Sequence, residues 1–261
     1  MVLLEKETTA AVPARGVGVL HKLIQIVGEL LITLGVILLL FVAWQLWWTN
    51  VESDAKQSEV IRNFAQDLGG SAAPVAPAPT AAAPPDYGPP KIAEAPGHGG
   101  TIGIMYIPRF GADYTRPIVQ GTSTDVLDTL GLGHYNDTAM PGATGNFAVA
   151  GHRQTHGAVL DNIHTLVPGD KIYVQTKDGF YVYVFRNNQI VLPSATDVLL
   201  PVPTQPAAQP TEGYLTMTSC NPRFGSQERI IAYSILDHWQ PASAGPPAEI
   251  AAQVAKALGK G

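Results

Sequence analysis

The sequence contains very little cysteine and few charged residues. Cys220 is the only cysteine among 261 residues, which excludes an internal disulfide and a cysteine-rich zinc site. Charged residues make up 14% of the chain, the formal net charge is −5, and lysine and arginine form no cluster, which argues against nucleic-acid binding. The sequence also lacks a glycine-rich phosphate loop, an acidic metal cluster and a cofactor fingerprint. We therefore expect neither a cofactor nor a metal.

One long apolar run lies near the N-terminus. Residues 30–48 carry no charge, and the whole run 23–48 exceeds the ~20 residues that cross a hydrocarbon core. Three tryptophans cluster at its C-terminal end, where indole rings favour the headgroup interface. Basic residues precede the run and acidic residues follow it. The positive-inside rule then predicts a single-pass protein of the cell membrane, with residues 1–22 in the cytoplasm and the chain after the span outside.

A cleaved signal peptide is the competing interpretation of this run. The run is longer than the apolar region of a typical signal peptide, and Trp47-Trp48 is a poor cleavage site. Both observations favour an uncleaved anchor.

Residues 49–98 are predicted to connect this anchor to a folded domain. Residues 49–68 place apolar side chains at helical spacing, which indicates a short amphipathic helix. Residues 71–97 are rich in alanine and proline and lack the large apolar side chains of a core. This composition predicts an extended spacer.

The remaining chain is dominated by short apolar runs separated by turn residues. Their number and the scarcity of helical patterns predict an all-β domain over 99–240, folded as a closed or nearly closed β-barrel with short helices. Residues 241–261 are predicted to be a tail, either a solvated helix or a frayed end. The predicted strands are 101–108, 116–120, 146–152, 171–176, 180–186, 189–192, 214–220 and 229–236. Short helices are predicted over 123–132 and 158–166.

Three residues at predicted strand ends suggest thiol-based acyl transfer. Cys220 ends one run, and Arg229 opens the next run nine positions later, while His152 closes a run far upstream. A thiolate attacks carbonyl carbon, and histidine transfers protons near neutral pH. An arginine stays charged and donates hydrogen bonds to an oxyanion.

These residues stand in motifs that resemble those of the sortases, membrane-anchored transpeptidases of Gram-positive bacteria. The family pattern Thr-Leu-x-Thr-Cys, with an arginine on the next strand, is matched by Thr216-Met217-Thr218-Ser219-Cys220 and Arg229. Met217 and Ser219 depart from the pattern but preserve its character. Gly151-His152 matches the family histidine. The wider stretch from Gly133-His134-Tyr135 to His152 is similar to class E sortases of actinobacteria.

The resemblance implies a sortase-like eight-stranded barrel and a transpeptidase mechanism. Cys220 would cleave a Leu-Ala/Pro-x-Thr-Gly sorting signal between Thr and Gly and form a thioester, with His152 transferring protons and Arg229 binding the oxyanion. The implied partners are secreted proteins bearing C-terminal sorting signals and the amine of a lipid II-like peptidoglycan precursor. Tyr135 is associated with a preference for Leu-Ala-x-Thr-Gly, and Thr218 and Ser219 are expected to shape the substrate site.

Two other functions stay open at this stage. A pilin-polymerising sortase would transfer its thioester to a pilin lysine, and a non-catalytic scaffold would bind wall polymer through the barrel. Several other polar residues are expected to be structural or solvent-facing. These are His98, His134, His156 and His164, together with Arg153 and Arg223, which are predicted to lie at the surface.

Overall fold

The computed structural model describes residues 18–68 and 85–259. Its strands are β1 (Thr101–Tyr106), β2 (Thr115–Gln120), β3 (Leu132–His134), β4 (Gly145–Ala150), β5 (Lys171–Gln175), β6 (Gly179–Val191), β7 (Gly213–Asn221) and β8 (Glu228–Pro241). Its α-helices are α1 (Val19–Asp67), α2 (Thr124–Leu127) and α3 (Ala251–Ala257). Short 3₁₀ helices cover Pro108–Phe110, Asp161–Thr165, Thr196–Leu199, Ala242–Ala244 and Ala248–Ile250.

The eight strands close into a barrel in the order β1-β2-β3-β4-β7-β8-β6-β5. The pairs β2·β3 and β4·β7 are parallel, and the other six are antiparallel. Strand β4 is buried along its whole length, as expected for an uninterrupted apolar run between two neighbours. The predicted all-β barrel is confirmed.

Two strands differ from the prediction. The run 189–192 is the continuation of β6 rather than a separate strand, because β6 pairs with β8 along its whole length despite two irregularities in register. Strand β3 was missed, since three residues are too few to show an alternating pattern. The predicted helices over 123–132 and 158–166 are also shorter, reduced to one turn of α-helix and one 3₁₀ helix.

Several barrel strands bury both of their faces. Along β6, Tyr181 and Tyr183 belong to the cluster inside the barrel, whereas Phe180 and Val182 belong to a second cluster. Successive side chains of a strand point to opposite faces, so the second cluster lies on the outside of the barrel wall. The apolar run of β6 therefore needs a second layer of chain to cover it.

That second layer comes from the C-terminal end of α1 and from the chain that follows β8. Phe64 from α1, with Ile250 and Val254 from the C-terminal region, packs in the same outer cluster, and Ile250 is fully buried. The predicted tail is therefore neither solvated nor frayed over these residues, since its apolar side chains cover the barrel wall. Tyr173 adds a polar contact, donating a hydrogen bond to the Glu249 carboxylate at 2.5 Å.

The predicted span and the predicted amphipathic helix form one continuous helix, α1. A boundary between Gln45 and Leu46 divides the described chain into two compact units. The N-terminal part of α1 is long and apolar enough to cross a membrane, and its large apolar side chains are exposed. Residues 46–67, which we call the docked segment, belong to the same unit as the barrel. Residues 71–84 of the predicted spacer and residues 1–17 of the predicted cytoplasmic tail lie outside the described residues.

The outer cluster predicts that the C-terminal region stabilises the fold. Ile250→Ala removes a fully buried side chain and should lower the free energy of unfolding by about 2–5 kcal/mol. Leu192→Ala is the matched control, because Leu192 is 65% exposed, and should change it by less than about 0.5 kcal/mol. Urea unfolding of the full chain in detergent measures both. Equal midpoints for the two variants would contradict this role of the C-terminal region.

Candidate active site

Cys220 lies near the C-terminal end of β7, between two neighbouring strands. On one side β7 pairs in antiparallel register with β8, and Cys220 is directly opposite Arg229. On the other side β7 pairs in parallel with β4, up to Ala150 opposite Thr218. The turn between β7 and β8 therefore sets the position of Arg229 relative to the thiol. The position of the histidine depends on β4.

Hydrogen bonds extend the alignment of β4 and β7 beyond the last paired residues. The Gly151 N–H donates to the Thr218 carbonyl at 3.1 Å, and Ser219 Oγ donates to the Gly151 carbonyl at 2.7 Å. The next residue on this side is His152. Strands β4 and β8 flank β7, so the segment that leads into His152 lies on one side of β7 and Arg229 lies on the other.

Arg229 contacts the turn that joins β7 to β8. Its Nη1 donates to the carbonyls of Ser226 and Glu228, both at 2.9 Å. Both bonds use a single nitrogen of a side chain that carries five N–H donors. The guanidinium is thus tethered beside Cys220 by the main chain of the turn, and its chemistry suits binding of a negatively charged oxygen.

Sequence reasoning missed the carboxylate that contacts the histidine. Asp128 follows α2, and its Oδ1 lies 2.7 Å from Nε2 of His152. A carboxylate on one ring nitrogen fixes the orientation and tautomer of an imidazole, which leaves the other nitrogen for proton transfer. The two residues are 24 positions apart in the sequence, with β3 and β4 between them, so no local pattern predicts this contact.

His156 also belongs to this cluster. Its ring centroid lies 5.1 Å from that of His152, and its Nδ1 is 3.1 Å from the Asp128 carbonyl oxygen. The expectation of a structural role agrees with the main-chain contact. Its position against the His152 ring was not foreseen.

The prediction that Arg153 lies at the surface is wrong. The residue is only 6% exposed, and its Nη1 donates to the Cys220 carbonyl at 3.2 Å and to Asn221 Oδ1 at 2.6 Å. Burial lowers the pKa of the Arg153 guanidinium, and Arg223 acts in the same direction, whereas Asp161 and the Cys220 thiol oppose it. A guanidinium keeps its charge despite such a shift. Arg153 thus ties the end of β7 to the segment that follows His152.

Of the three predicted substrate-binding residues, Tyr135 and Thr218 contact each other, whereas Ser219 binds the main chain after β4. The Tyr135 hydroxyl lies 2.9 Å from Thr218 Oγ1, so these two residues contact each other. Thr218 is two positions before Cys220 on β7. Ser219 is 3% exposed, and its hydroxyl is bonded to the Gly151 carbonyl. Its described contact aligns two strands, whereas Tyr135 and Thr218 form a hydroxyl pair near the thiol.

The other histidines expected to be structural lie in different surroundings. His134 is fully buried, and its ring contacts Gln120, Thr138 and the Ala139 carbonyl. Burial lowers the pKa of His134. The exposed side chain of His98 lies 2.7 Å from Asp125. The expected structural role of His134 agrees with its satisfied hydrogen bonds.

Comparison with known proteins assigns a family to this barrel. A family model described as the sortase domain matches residues 105–237. Sortase SrtE1 of Streptomyces coelicolor is 37% identical over 229 residues, which cover 85% of this chain and 59% of that protein, so this chain spans less than two thirds of its length. Sortase SrtE2 of the same organism is 33% identical over 227 residues, with 82% of this chain and 81% of the relative covered.

Solved structures give the same result. The SrtA sortase from Actinomyces oris superimposes with a TM-score of 0.60 at 38% identity, covering 63% of this chain and 94% of that one. Sortase E1 from Streptomyces coelicolor, solved with a tripeptide in the active site, gives a TM-score of 0.54 at 38% identity, covering 60% and 99%. The chain belongs to the sortase family of cysteine transpeptidases. The predicted resemblance to class E sortases is confirmed.

Because Arg153 is buried, we expect its replacement by lysine to destabilise the fold more than the same replacement at the exposed Arg223. Arg153→Lys removes the planar fork that binds Asn221 and the Cys220 carbonyl and leaves buried acceptors unpaired, which should lower the free energy of unfolding by about 1–3 kcal/mol. Arg223→Lys is the matched control, since the Arg223 side chain is 52% exposed in its pair with Asp161, and should leave the midpoint near wild type. Thermal unfolding measures both, and a larger loss in the control would contradict the assignment.

Proposed function

We propose that the protein is a sortase transpeptidase that cleaves a Leu-Ala/Pro-x-Thr-Gly sorting signal between Thr and Gly. It then transfers the new carboxyl end to the amine of a cell-wall precursor. The observation that supports this proposal is the strand register, which pairs Cys220, the one cysteine of the sequence, with Arg229 and aligns β7 with β4, the strand that ends two residues before His152. Membership of the sortase family supports the same chemistry.

The first half-reaction forms a thioester. His152 holds the proton of the Cys220 thiol, and the resulting thiolate attacks the threonine carbonyl carbon, whose oxygen becomes an oxyanion. Arg229 supplies N–H donors to this oxyanion, where they stabilise the transition state more than the ground state. The intermediate collapses, the Thr–Gly bond breaks, and His152 gives a proton to the departing glycine amine.

The second half-reaction reverses the direction of proton transfer. The incoming amine attacks the thioester carbonyl carbon, and His152 removes a proton from it. A new amide forms, and Cys220 leaves as the thiolate. Asp128 keeps one imidazole nitrogen engaged in both steps, so the same ring atom serves as acid and then as base.

The peptide specificity is assigned to the segment around Tyr135. The tripeptide in the active site of Streptomyces coelicolor sortase E1 supports a peptide substrate here. The Tyr135 hydroxyl contacts Thr218, two positions before Cys220, and we propose that the aromatic ring of Tyr135 favours Leu-Ala-x-Thr-Gly over Leu-Pro-x-Thr-Gly. Secreted proteins carrying such C-terminal signals are the proposed partners, and the acceptor is a lipid II-like precursor.

The proposed location follows from the apolar part of α1. This part is a candidate membrane span, and the charge distribution around it favours a cytoplasmic N-terminus. We propose that the barrel lies outside the cell membrane, where secreted substrates and the precursor meet.

The test of this function is capture of the thioester. The full chain in detergent is incubated with matched Leu-Ala-x-Thr-Gly and Leu-Pro-x-Thr-Gly peptides and analysed by intact mass spectrometry. We expect cleavage after threonine and a peptide adduct on Cys220, formed faster with the alanine peptide and released by an added glycine-based amine. The adduct should be absent in Cys220→Ala.

A histidine pair provides the control for this experiment. His152→Ala should slow adduct formation by about 10²- to 10⁴-fold, as expected for loss of a general acid–base. His164→Ala removes an exposed histidine of the 3₁₀ helix and should leave the rate unchanged. A folded wild-type chain that forms no adduct with either peptide in the presence of amine would contradict the function. Release only by a pilin lysine would favour a pilin polymerase.

A further inference from the structure

The docked segment contacts the parts of the chain that surround His152. Ser53 Oγ donates to the Asp128 carbonyl at 2.7 Å, and Asn50 Oδ1 accepts from the Gly157 N–H at 2.8 Å. Ser53 is 2% exposed, so its hydroxyl is removed from solvent. Gly157 lies in the loop formed by residues 154–157. The docked segment also contacts this loop through Asn50 Nδ2, 3.5 Å from the Gln154 carbonyl, and Gln57 Nε2, 3.4 Å from the His156 carbonyl. Arg116 Nη2, from β2, donates to the Gly157 carbonyl at 2.9 Å.

Arg116 on β2 connects this segment to the barrel. Its Nη1 donates to Asp54 Oδ1 at 2.6 Å and to Gln57 Oε1 at 2.9 Å. Positions 50, 53, 54 and 57 follow helical spacing and lie on one face of α1. That face is polar and makes its contacts with Asp128, the 154–157 loop and Arg116.

The backbone of this loop adopts conformations that need external support. His156 and Ala158 have φ values of 54° and 46°, in the left-handed region that costs a non-glycine residue about 1 kcal/mol or more. Between them, Gly157 has a φ of 83°, and a Cβ there would lie 2.7 Å from Gln57 Nε2. The docked segment thus lies against this loop and binds its carbonyl and N–H groups.

The polar character of the contact argues for a role beyond covering the barrel. Covering is achieved further along the same helix by Phe64, which packs in the outer apolar cluster. A buried hydroxyl such as that of Ser53, or a buried amide such as that of Gln57, adds little net stability but costs free energy if its partner moves. Such groups fix one geometry of the segment they bind.

We propose that Asp128 is a positioning residue for His152 and that the docked segment positions Asp128. The carboxylate holds the imidazole through Nε2, while Ser53 and the contacts at the 154–157 loop hold the main chain on both sides of the pair. The docked segment therefore sets the geometry of the proton-transfer residue. This inference rests on the proposed function for its kinetic consequence, but its geometry is measurable without turnover.

The first test compares two aspartates that each contact a histidine at 2.7 Å. Asp128→Ala removes the contact with His152, and the control Asp125→Ala removes the exposed contact with His98. In the full chain in nanodiscs, we expect Asp128→Ala to lower kcat for the peptide about tenfold or more, with KM within about twofold. Asp125→Ala should match wild type in both constants.

A spectroscopic readout separates positioning from a general structural effect. Long-range ¹H–¹⁵N spectra of the ¹⁵N-histidine-labelled chain, at a pH where the imidazole is neutral, report the tautomer of His152. We expect a protonated Nε2 in wild type and a mixture of tautomers in Asp128→Ala. The His152 signal is assigned by its loss in His152→Gln. Unchanged tautomer and kcat in Asp128→Ala would overturn the positioning role.

The second test compares two serines of the same helix. Ser53→Ala removes the contact with the Asp128 carbonyl, whereas the control Ser58→Ala removes an exposed bond to the Asp54 carbonyl of the same helix. We expect Ser53→Ala to lower kcat between about twofold and tenfold, as expected for one hydrogen bond, and Ser58→Ala to leave it unchanged. Equal kcat in the two variants would overturn the role of the docked segment.

The outcomes also separate this inference from the proposed function. The wild-type chain could cleave neither peptide and still show a His152 protonated at Nε2, with this tautomer lost in Asp128→Ala. That result would refute the proposed peptide substrate and support the positioning of His152 by Asp128. An active wild type whose Asp128→Ala variant behaves like Asp125→Ala would support the substrate and refute the positioning. Thermal unfolding of each variant confirms that the chain is folded, and Ser53→Ala leaves the Asp128 side chain intact if Asp128→Ala does not fold.

Discussion

The parallel pairing of β4 with β7 is the constraint on which the site depends. Two parallel strands cannot be joined by a tight turn that would fix their register. The alignment of β4 with β7 is therefore set by hydrogen bonds along the strands and by the burial of β4 along its whole length. Beyond the regular ladder, the bonds between Gly151 and its partners on β7 continue that alignment to the position of His152. A slip of one residue would turn the alternating side chains of either strand to the opposite face and separate the imidazole from Cys220.

The antiparallel pairing of β7 with β8 adds the third group to this arrangement. Arg229 is placed by local geometry, because a short turn joins its strand to the strand of Cys220. The three residues therefore depend on two different kinds of structure, one local and one spanning much of the chain. Arg153 links them, since it follows His152 directly in sequence and binds the carbonyl of Cys220.

The barrel alone is an incomplete description of this protein. Its wall carries apolar side chains on the outside, which Phe64, Ile250 and Val254 cover. The docked segment adds polar contacts on the side where Asp128 meets His152. Chain segments before and after the barrel thus complete its packing, and the docked segment also contacts the chain beside His152.

The sequence predicted the parts of this structure that leave a local pattern. Apolar runs predicted most of the strands. The positions of Cys220 and Arg229 on either side of a short turn predicted that these two residues lie opposite each other on paired strands. The role expected of His152 came from the chemistry of a histidine at a predicted strand end and from the family resemblance. Asp128 and the burial of Arg153 were not foreseen, because each depends on a contact between distant segments.

The apolar layer outside the barrel wall is predictable from the sequence. The uninterrupted apolar runs of β1 and β6 indicate strands covered on both faces, and the chain beyond 240 offered the apolar residues to cover them.

We propose that Cys220, His152 and Arg229 form one acyl-transfer site, and a crystal structure of the chain bearing a substrate-mimicking Leu-Ala-x-Thr group on the Cys220 sulfur would test this. We expect the threonine carbonyl oxygen within about 3 Å of the Arg229 guanidinium, and the His152 imidazole on the opposite side of the sulfur. A peptide that leaves the sulfur in another direction, with Arg229 still bound only to Ser226 and Glu228, would contradict it.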